Sequence, residues 1–310
     1  MNVFIAGATG AIGRVLVPLL VKAGHAVVAL TRSADRTAAL AQMGAVPVVG
    51  DVYDAERLAR LVAESEAEVV IHQLTALGTQ SADPYAATIR VRIDGTRHLV
   101  AAARAAGVRR FIAQSISFMC SPSGSGLTDE ETPLHLEGPA GVRPLAQAVA
   151  SLEAQTLDAG PMRGTVLRYG WFYGPGTSYD PQGSIPTAIR EGTMRIVAAG
   201  AGTYSFIDLR DAAAATMTAL AHDASGIFNI VDDAPARYSE WLPVAARLLG
   251  APAPGHLDEA EARRKLGDLR VYYMNEQRGA SNAKARRELG WQPSFPSWRA
   301  GFEALYSRST

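Results

Sequence analysis

The feature that most constrains this chain lies at its amino terminus. A short apolar run, Val3–Ala6, leads into Gly7-Ala8-Thr9-Gly10-Ala11-Ile12-Gly13, and a helical apolar pattern follows over Ile12–Ala23. Three glycines at a strand-to-helix junction let the chain turn sharply and bring backbone close to a ligand. A helix start carries unpaired N–H groups and a partial positive charge, so a pyrophosphate is favoured there. The motif therefore predicts a β-α-β unit holding a dinucleotide, with Gly7, Thr9, Gly10, Ala11, Ile12 and Gly13 in contact with it.

The rhythm of that unit continues. Val3–Ala6, Ala26–Leu30, Val46–Val49, Val69–His72, Arg110–Ala113 and Thr165–Leu167 read as strands. They are nearly continuous in apolar character, as parallel strands covered on both faces are. Helical patterns over Ile12–Ala23, Ala34–Met43, Ala55–Glu64, Tyr85–Ala106 and Pro144–Asp158 alternate with them. Such alternation predicts an α/β fold, a Rossmann-type doubly wound parallel sheet with a smaller C-terminal substrate lobe. The dinucleotide domain is expected over 1–168, with contributions from about 204–231, and the lobe over 169–203 and 232–310. Gly170–Gly183 reads as a closing loop. Beyond it the sequence predicts a helix near Ile185–Glu191, strands near Arg195–Val197 and Tyr204–Ile207, a helix over Asp211–Ala221 and a strand over Ile227–Val231.

Composition narrows the class. Of 310 residues, 48% are hydrophobic and 19% charged, which excludes a disordered chain. Thirty basic residues balance thirty acidic ones, so no net field draws the chain to nucleic acid or anionic lipid. No apolar run reaches the ~20 residues that span a bilayer. Cys120 is the only cysteine, which rules out an intramolecular disulfide and a multi-cysteine metal site. The N-terminus lacks the basic start of a signal peptide. The expectation is a soluble cytoplasmic protein with a small-molecule substrate and no metal, nucleic-acid or membrane partner.

The end of the second strand discriminates between cofactors. An acidic residue there would bond the ribose 2′-hydroxyl of NAD. The strand ends instead in Leu30-Thr31-Arg32-Ser33, with no carboxylate until Asp35. Arg32 suits the 2′-phosphate of NADP through charge-assisted hydrogen bonds. Asp51 is placed to accept from the adenine amino group.

These residues resemble the short-chain dehydrogenase/reductase superfamily, in its extended, epimerase/dehydratase-like branch. The resemblance extends to Val70-Ile71-His72-Gln73-Leu74-Thr75, Asp94-Gly95-Thr96-Arg97-His98-Leu99, Leu167-Arg168-Tyr169-Gly170-Trp171-Phe172-Tyr173-Gly174-Pro175 and Arg287-Glu288-Leu289-Gly290-Trp291-Gln292-Pro293. It implies further cofactor contacts at Val52, Leu74, Thr75, Ser115 and Tyr169. It also implies dimerisation through the helices at Tyr85–Ala106 and Pro144–Asp158.

The family's chemistry uses a Tyr-x-x-x-Lys pair on the helix after strand five, and a serine or threonine at that strand's end. Here Glu153 sets the register and places Leu145 and Val149 at the tyrosine and lysine positions. Lysine occurs only at Lys22, Lys265 and Lys284, and no tyrosine lies between Tyr85 and Tyr169. The serine is Ser115 or Ser117. Tyr169 is the substitute proton donor to consider, the alternative being that its hydroxyl bonds backbone. Arg92 stands nearest the family's helix asparagine, His72 reads as a core histidine, and His135 is a further base to weigh. Trp171, Phe172, Tyr173, Tyr179 and Pro181 suggest an apolar substrate wall. The expected activity is an atypical NADP-dependent reduction of a small, relatively hydrophobic conjugated alkene, imine or quinonoid carbonyl. A non-redox isomerase or cyclase and a non-catalytic NADP sensor are the alternatives.

Overall fold

The computed structural model describes residues 1–77 and 82–307. Along the chain, β1 (Asn2–Ala6), α1 (Gly13–Lys22), β2 (Ala26–Thr31), α2 (Thr37–Gln42), β3 (Val46–Val49), α3 (Ala55–Glu64) and β4 (Val69–His72) open the fold. They are followed by α4 (Pro84–Arg90), α5 (Thr96–Ala105), β5 (Arg110–Ile116), α6 (Arg143–Leu157) and β6 (Arg163–Tyr169). Then come β7 (Trp171–Tyr173), α7 (Ser184–Arg190), β8 (Ile196–Val197), β9 (Thr203–Tyr204), β10 (Phe206–Asp208), α8 (Leu209–Ala221) and β11 (Gly226–Ile230). The chain finishes with β12 (Ala236–Arg237), α9 (Tyr238–Leu248), β13 (His256–Leu257), α10 (Glu259–Leu266), α11 (Asp268–Val271), α12 (Ala283–Leu289) and α13 (Trp298–Tyr306).

The chain forms two compact units. The first contains Met1–Ser115, Gln147–Arg168 and Ala213–Phe228. The second contains Ile116–Ala146, Tyr169–Ala212 and Asn229–Thr310. The sequence reading placed 116–146 in the first. That segment instead bridges Cys120 to Leu134 and Thr128 to Ala280, which binds it to the C-terminal part of the chain.

The first unit is built on a seven-stranded sheet of order β11-β6-β5-β4-β1-β2-β3. The pairs β1–β2, β1–β4, β2–β3 and β4–β5 are parallel. Strand order reverses beside β1, and in such sheets ligands bind at the carboxyl ends of the strands around that reversal. On one face, Phe4, Val70 and Phe111 pack with Leu58 and Val62 of α3 and Leu99 and Ala103 of α5. Asp54 caps α3, accepting from the Arg57 N–H at 3.0 Å, and Asp83 caps α4 ahead of Pro84.

One predicted helix, Tyr85–Ala106, is interrupted by a π-helical turn over Val91–Gly95. The turn buries Arg92, and Gly95 lies so close to Val52 that a Cβ there would sit 3.4 Å from its side chain.

In the second unit, β7 pairs parallel with β10, β9 pairs antiparallel with β12, and β8 pairs parallel with β13. Two expectations change here. The segment read as a loop from Gly170 begins with β7. The strand expected near Tyr204–Ile207 is two strands with different partners. Ser205 separates them: its Oγ accepts from the Ala280 N–H at 2.9 Å and its carbonyl accepts from the Trp171 N–H at 2.8 Å. The core of this unit is aromatic. Tyr204, Phe206, Trp241, Trp298 and Phe302 are all buried and in ring contact. No helix among the described residues is long and apolar enough to cross a membrane.

Candidate functional site

The glycine turn is shaped by close backbone approach. Gly7 has φ +100°, and a Cβ there would lie 2.6 Å from the Gln73 carbonyl. A Cβ at Gly13 would lie 2.3 Å from the Gly7 oxygen. Any side chain at either position would force β1, β4 and α1 apart. The Gly10 N–H closes the turn on the Gly7 oxygen at 3.0 Å. Ile12 at the start of α1 makes no side-chain cap bond, and the first turn of α1 holds no acidic residue. The Arg14 and Val15 N–H groups are taken up by the Gly10 and Ile12 carbonyls, at 3.1 and 2.9 Å, so what the start of α1 offers an anion is its partial positive charge, with Thr9 and Ala11 partly exposed beside it.

Two arginines stand at the end of β2. Arg32 is exposed immediately after the strand. Arg36, one 3₁₀ turn later, donates to Thr9 Oγ1 at 3.1 Å, which brings its guanidinium onto the glycine turn. Sequence reasoning singled out Arg32 and missed Arg36. The signal available was a second basic residue in the same short connection.

After β3, Asp51 accepts from the Tyr53 N–H at 2.9 Å and stays partly exposed, while Val52 is buried and its carbonyl meets His98 Nδ1 at 2.9 Å. The Tyr53 ring lies under the Arg90 guanidinium, 4.1 Å from its centroid. After β4, Leu74 and Thr75 are partly exposed. The Leu74 N–H donates to His72 Nδ1 at 3.2 Å, and His72 Nε2 lies 3.0 Å from Thr96 Oγ1. Burial, reinforced by the charge of Arg92, pushes the His72 pKa down to about 3. It is a neutral core histidine with both ring nitrogens engaged. Gln73 beside it is 5% exposed, and its side-chain amide makes no hydrogen bond among the described residues.

The two serines at the end of β5 are both buried, Ser115 at 0% and Ser117 at 2% exposure, but have different neighbours. Ser115 is fully buried and donates to Glu153 Oε1 at 2.7 Å. Glu153 is gripped in turn by Arg168, with Nε and a terminal nitrogen each 2.7 Å from a carboxylate oxygen. The serine hydroxyl is therefore tied to a buried ion pair joining α6 to β6. On α6, Leu145 and Val149 are 4% and 0% exposed.

In the second unit, the Ser117 N–H donates to the Tyr169 carbonyl at 3.0 Å. The Ser117 side chain is not drawn into the Glu153–Arg168 pair that takes up Ser115. Tyr169 is fully buried, and its hydroxyl donates to the Ala212 carbonyl at 3.4 Å. A partly exposed aromatic lies one residue after Ser117 and another two residues after Tyr169. Phe118 and Trp171 stack at 4.1 Å with 17° between their planes. His135 stacks on Tyr272 with the ring centroids 5.5 Å apart. Asp208 caps α8 by accepting from the Arg210 N–H at 2.8 Å. Asp211 instead holds the Ser294 and Phe295 N–H groups, each at 2.9 Å.

A buried acid also lies in this unit. Asp232 is 1% exposed, and Oδ2 has no hydrogen-bond partner among the described residues. Burial pushes its pKa up to about 7, against the pull of backbone N–H groups that include Ala234. Burial, with the charges of Asp208, Asp232 and Asp211 behind it, raises Tyr173 well above the ordinary phenol range. Among the described residues, no three His, Cys, Asp or Glu side chains stand where they could hold a metal ion.

Comparison with known proteins gives this geometry a context. The NAD-dependent epimerase/dehydratase family model matches residues 3–231. A 3-diazoavenalumate denitrifying reductase from a Streptomyces species is 43% identical over 305 residues, covering 97% of this chain and 99% of its own. A UDP-glucose 4-epimerase from Mycolicibacterium smegmatis is 29% identical, covering 94% of each chain. The structure of UDP-glucose 4-epimerase from Thermotoga maritima with UDP-glucose superposes with a TM-score of 0.77 at 21% identity, covering 99% of this chain and 98% of that one. The Thermus thermophilus UDP-glucose 4-epimerase in complex with NAD superposes with a TM-score of 0.76 at 22% identity, again over 99% and 98%.

Proposed function

Since the chain belongs to the NAD-dependent epimerase/dehydratase family, whose model spans residues 3–231, we propose that it is an NADP-dependent reductase of a conjugated electrophile that needs no acid from α6. The observation that carries this reading is the pair of buried aliphatic residues, Leu145 and Val149, where the family holds its proton-transfer couple. An alkoxide forming beside them would meet no donor from that helix, and loss of one such donor costs a factor of ~10²–10³. The chemistry therefore favours an acceptor that takes hydride without building an alkoxide.

A diazo compound meets that requirement, and the name of the Streptomyces relative points to one. In its diazonium form, an aromatic ring accepts hydride at the carbon bearing nitrogen. The C–N bond breaks, dinitrogen leaves with the bonding pair, and a neutral C–H product remains. No proton enters or leaves. A conjugated imine or quinonoid acceptor comes next, because water or the substrate can supply its proton.

NADP in its reduced form supplies the hydride. The residues present fit it. The start of α1 and the Gly7–Gly13 turn would hold the pyrophosphate. Arg32 and Arg36 would take the 2′-phosphate, and Asp51 and Val52 the adenine. Leu74 and Thr75 would lie beside the cofactor at the end of β4. Ser117, rather than the committed Ser115, positions the acceptor by hydrogen bonding. Tyr169 contributes its ring, and its carbonyl fixes the Ser117 backbone. We further propose a homodimer through α5 and α6, where Ala101, Ala105 and Ala154 are exposed side by side with charged Arg97 and Asp158.

The test is incubation of the protein with NADPH and an aryl diazonium salt under anaerobic conditions. Equal amounts of NADPH consumed and dinitrogen released are expected. Product without NADPH consumption would support isomerase or cyclase chemistry instead, and tight NADPH binding without any product would support a sensor.

A further inference from the structure

The aromatic core of the second unit is not closed at the pair Phe118 and Trp171. Most rings in it are buried, with Tyr204, Phe206, Tyr238, Trp241, Trp298 and Phe302 all at or below 4% exposure. Phe118 and Trp171 are partly exposed. Trp171 is enclosed on several sides, by the stacked Phe118, by Tyr204 at 4.9 Å and by the edge of Tyr273 at 4.9 Å. Phe118 stacks on Trp171 at 4.1 Å, meets Tyr273 edge-on at 5.8 Å, and is itself partly exposed, with no third ring packed on it among the described residues. The indole N–H of Trp171 is buried and unpartnered among the described residues, at the base of this stack.

The location follows from the chain. The hydrogen bond from Ser117 N–H to the Tyr169 carbonyl draws two strand ends together, and Phe118 and Trp171 are the next side chains to emerge from them. A rigid two-ring platform is thus carried one residue beyond the serine assigned to the acceptor. Offset stacking on a ring already backed by another costs little ordering, because neither ring can turn.

We infer that the open face of Phe118, backed by Trp171, is the seat for a planar aromatic ring in the acceptor, and that it selects aromatic over saturated substrates. The assignment rests on the reductase reading for the position of the acceptor beside Ser117. Binding can be measured without turnover, so the two can fail separately.

The experiment is a ligand-observed NMR titration of the full chain, without cofactor, using 2-naphthol and its fully saturated analogue decahydro-2-naphthol. The aromatic compound is expected to bind about tenfold more tightly. Phe118→Leu is expected to remove most of that preference, and Phe118→Tyr to restore it. Circular dichroism and the melting temperature establish that both variants are folded. If Phe118→Leu does not fold, the comparison of wild type with Phe118→Tyr still decides: equal affinity for the two compounds in both proteins overturns the inference. So does an aromatic preference that survives in folded Phe118→Leu. Loss of NADPH turnover with the preference intact would sink the reductase reading and leave this site standing.

Discussion

At the scale of single residues, the account turns on charge placement. Arg32 is exposed, and Arg36 is held beside the glycine turn by its bond to Thr9; hydrogen bonds from such groups to a phosphate contribute about 1.5–3 kcal/mol each. Arg32→Ala and Arg36→Ala are each expected to weaken NADPH by about tenfold or more in calorimetry. NADH should change little in Arg32→Ala, and equal losses for both cofactors would remove the basis for NADP. Arg32 was singled out because the sequence lacks an acidic residue at that point. Arg36 was not, because its contact with Thr9 depends on a 3₁₀ turn that spacing alone does not reveal. The choice between Ser115 and Ser117 was open for a similar reason. Only the tertiary reach of Glu153 decides which hydroxyl is committed. Asp232 adds a pH dependence of defined sign. Its folded pKa of about 7 lies above the ordinary carboxyl value, so the folded protein retains a proton that the unfolded chain releases. Its contribution is full in acid and is lost as pH rises towards 7. Asp232→Asn should therefore gain stability relative to wild type by roughly 2–3 kcal/mol between pH 5 and pH 8, read from urea unfolding at each pH. A difference that does not vary with pH would contradict the buried-acid description. His72 acts oppositely: its depressed pKa of about 3 makes it cost stability as pH falls below its ordinary 6.5.

At the scale of elements, the strands of the first unit were readable because parallel strands buried on both faces leave continuous apolar runs. Val46–Val49 and Val69–His72 appear with the expected bounds. The break at Ser205 was not readable, since it is imposed by bonds to Ala280 and Trp171, distant in sequence. Helix α6 carries the sharpest element-level claim. Val149 is fully buried, in a helix fixed to β6 by the Glu153–Arg168 pair. Val149→Lys, alone or with Leu145→Tyr, is expected to lower stability by more than about 3 kcal/mol, because an ammonium there lacks both water and a partner. Urea unfolding measures it. A tolerated lysine that raises ketone reductase activity would mean that this site is less apolar than its burial indicates.

At the scale of the whole molecule, the division of the chain follows pairing rather than sequence order. The segment 116–146 leaves the sheet after β5 and is fastened by bridges at Cys120 and Thr128. Composition could not reveal that, whereas the glycine motif and the strand–helix alternation made the dinucleotide fold legible from the first twenty residues onward. The proposed dimer is an expectation at this scale. Light scattering should give about twice the 32.8 kDa chain mass, and Ala101→Arg combined with Ala154→Arg should reduce it to one chain. A wild-type monomer at micromolar concentration would refute the dimer without touching the site.

All three scales meet in one proposition: hydride leaves a bound nicotinamide for a carbon that needs no enzymatic acid. The direct measurement uses NADPH deuterated at the nicotinamide C4 on its transferable face, an aryl diazonium acceptor, and mass spectrometry of the product. One deuterium at the carbon that lost nitrogen, with the label absent from solvent, is the predicted result. A product carrying hydrogen from water, or formed without oxidation of the labelled cofactor, would contradict it.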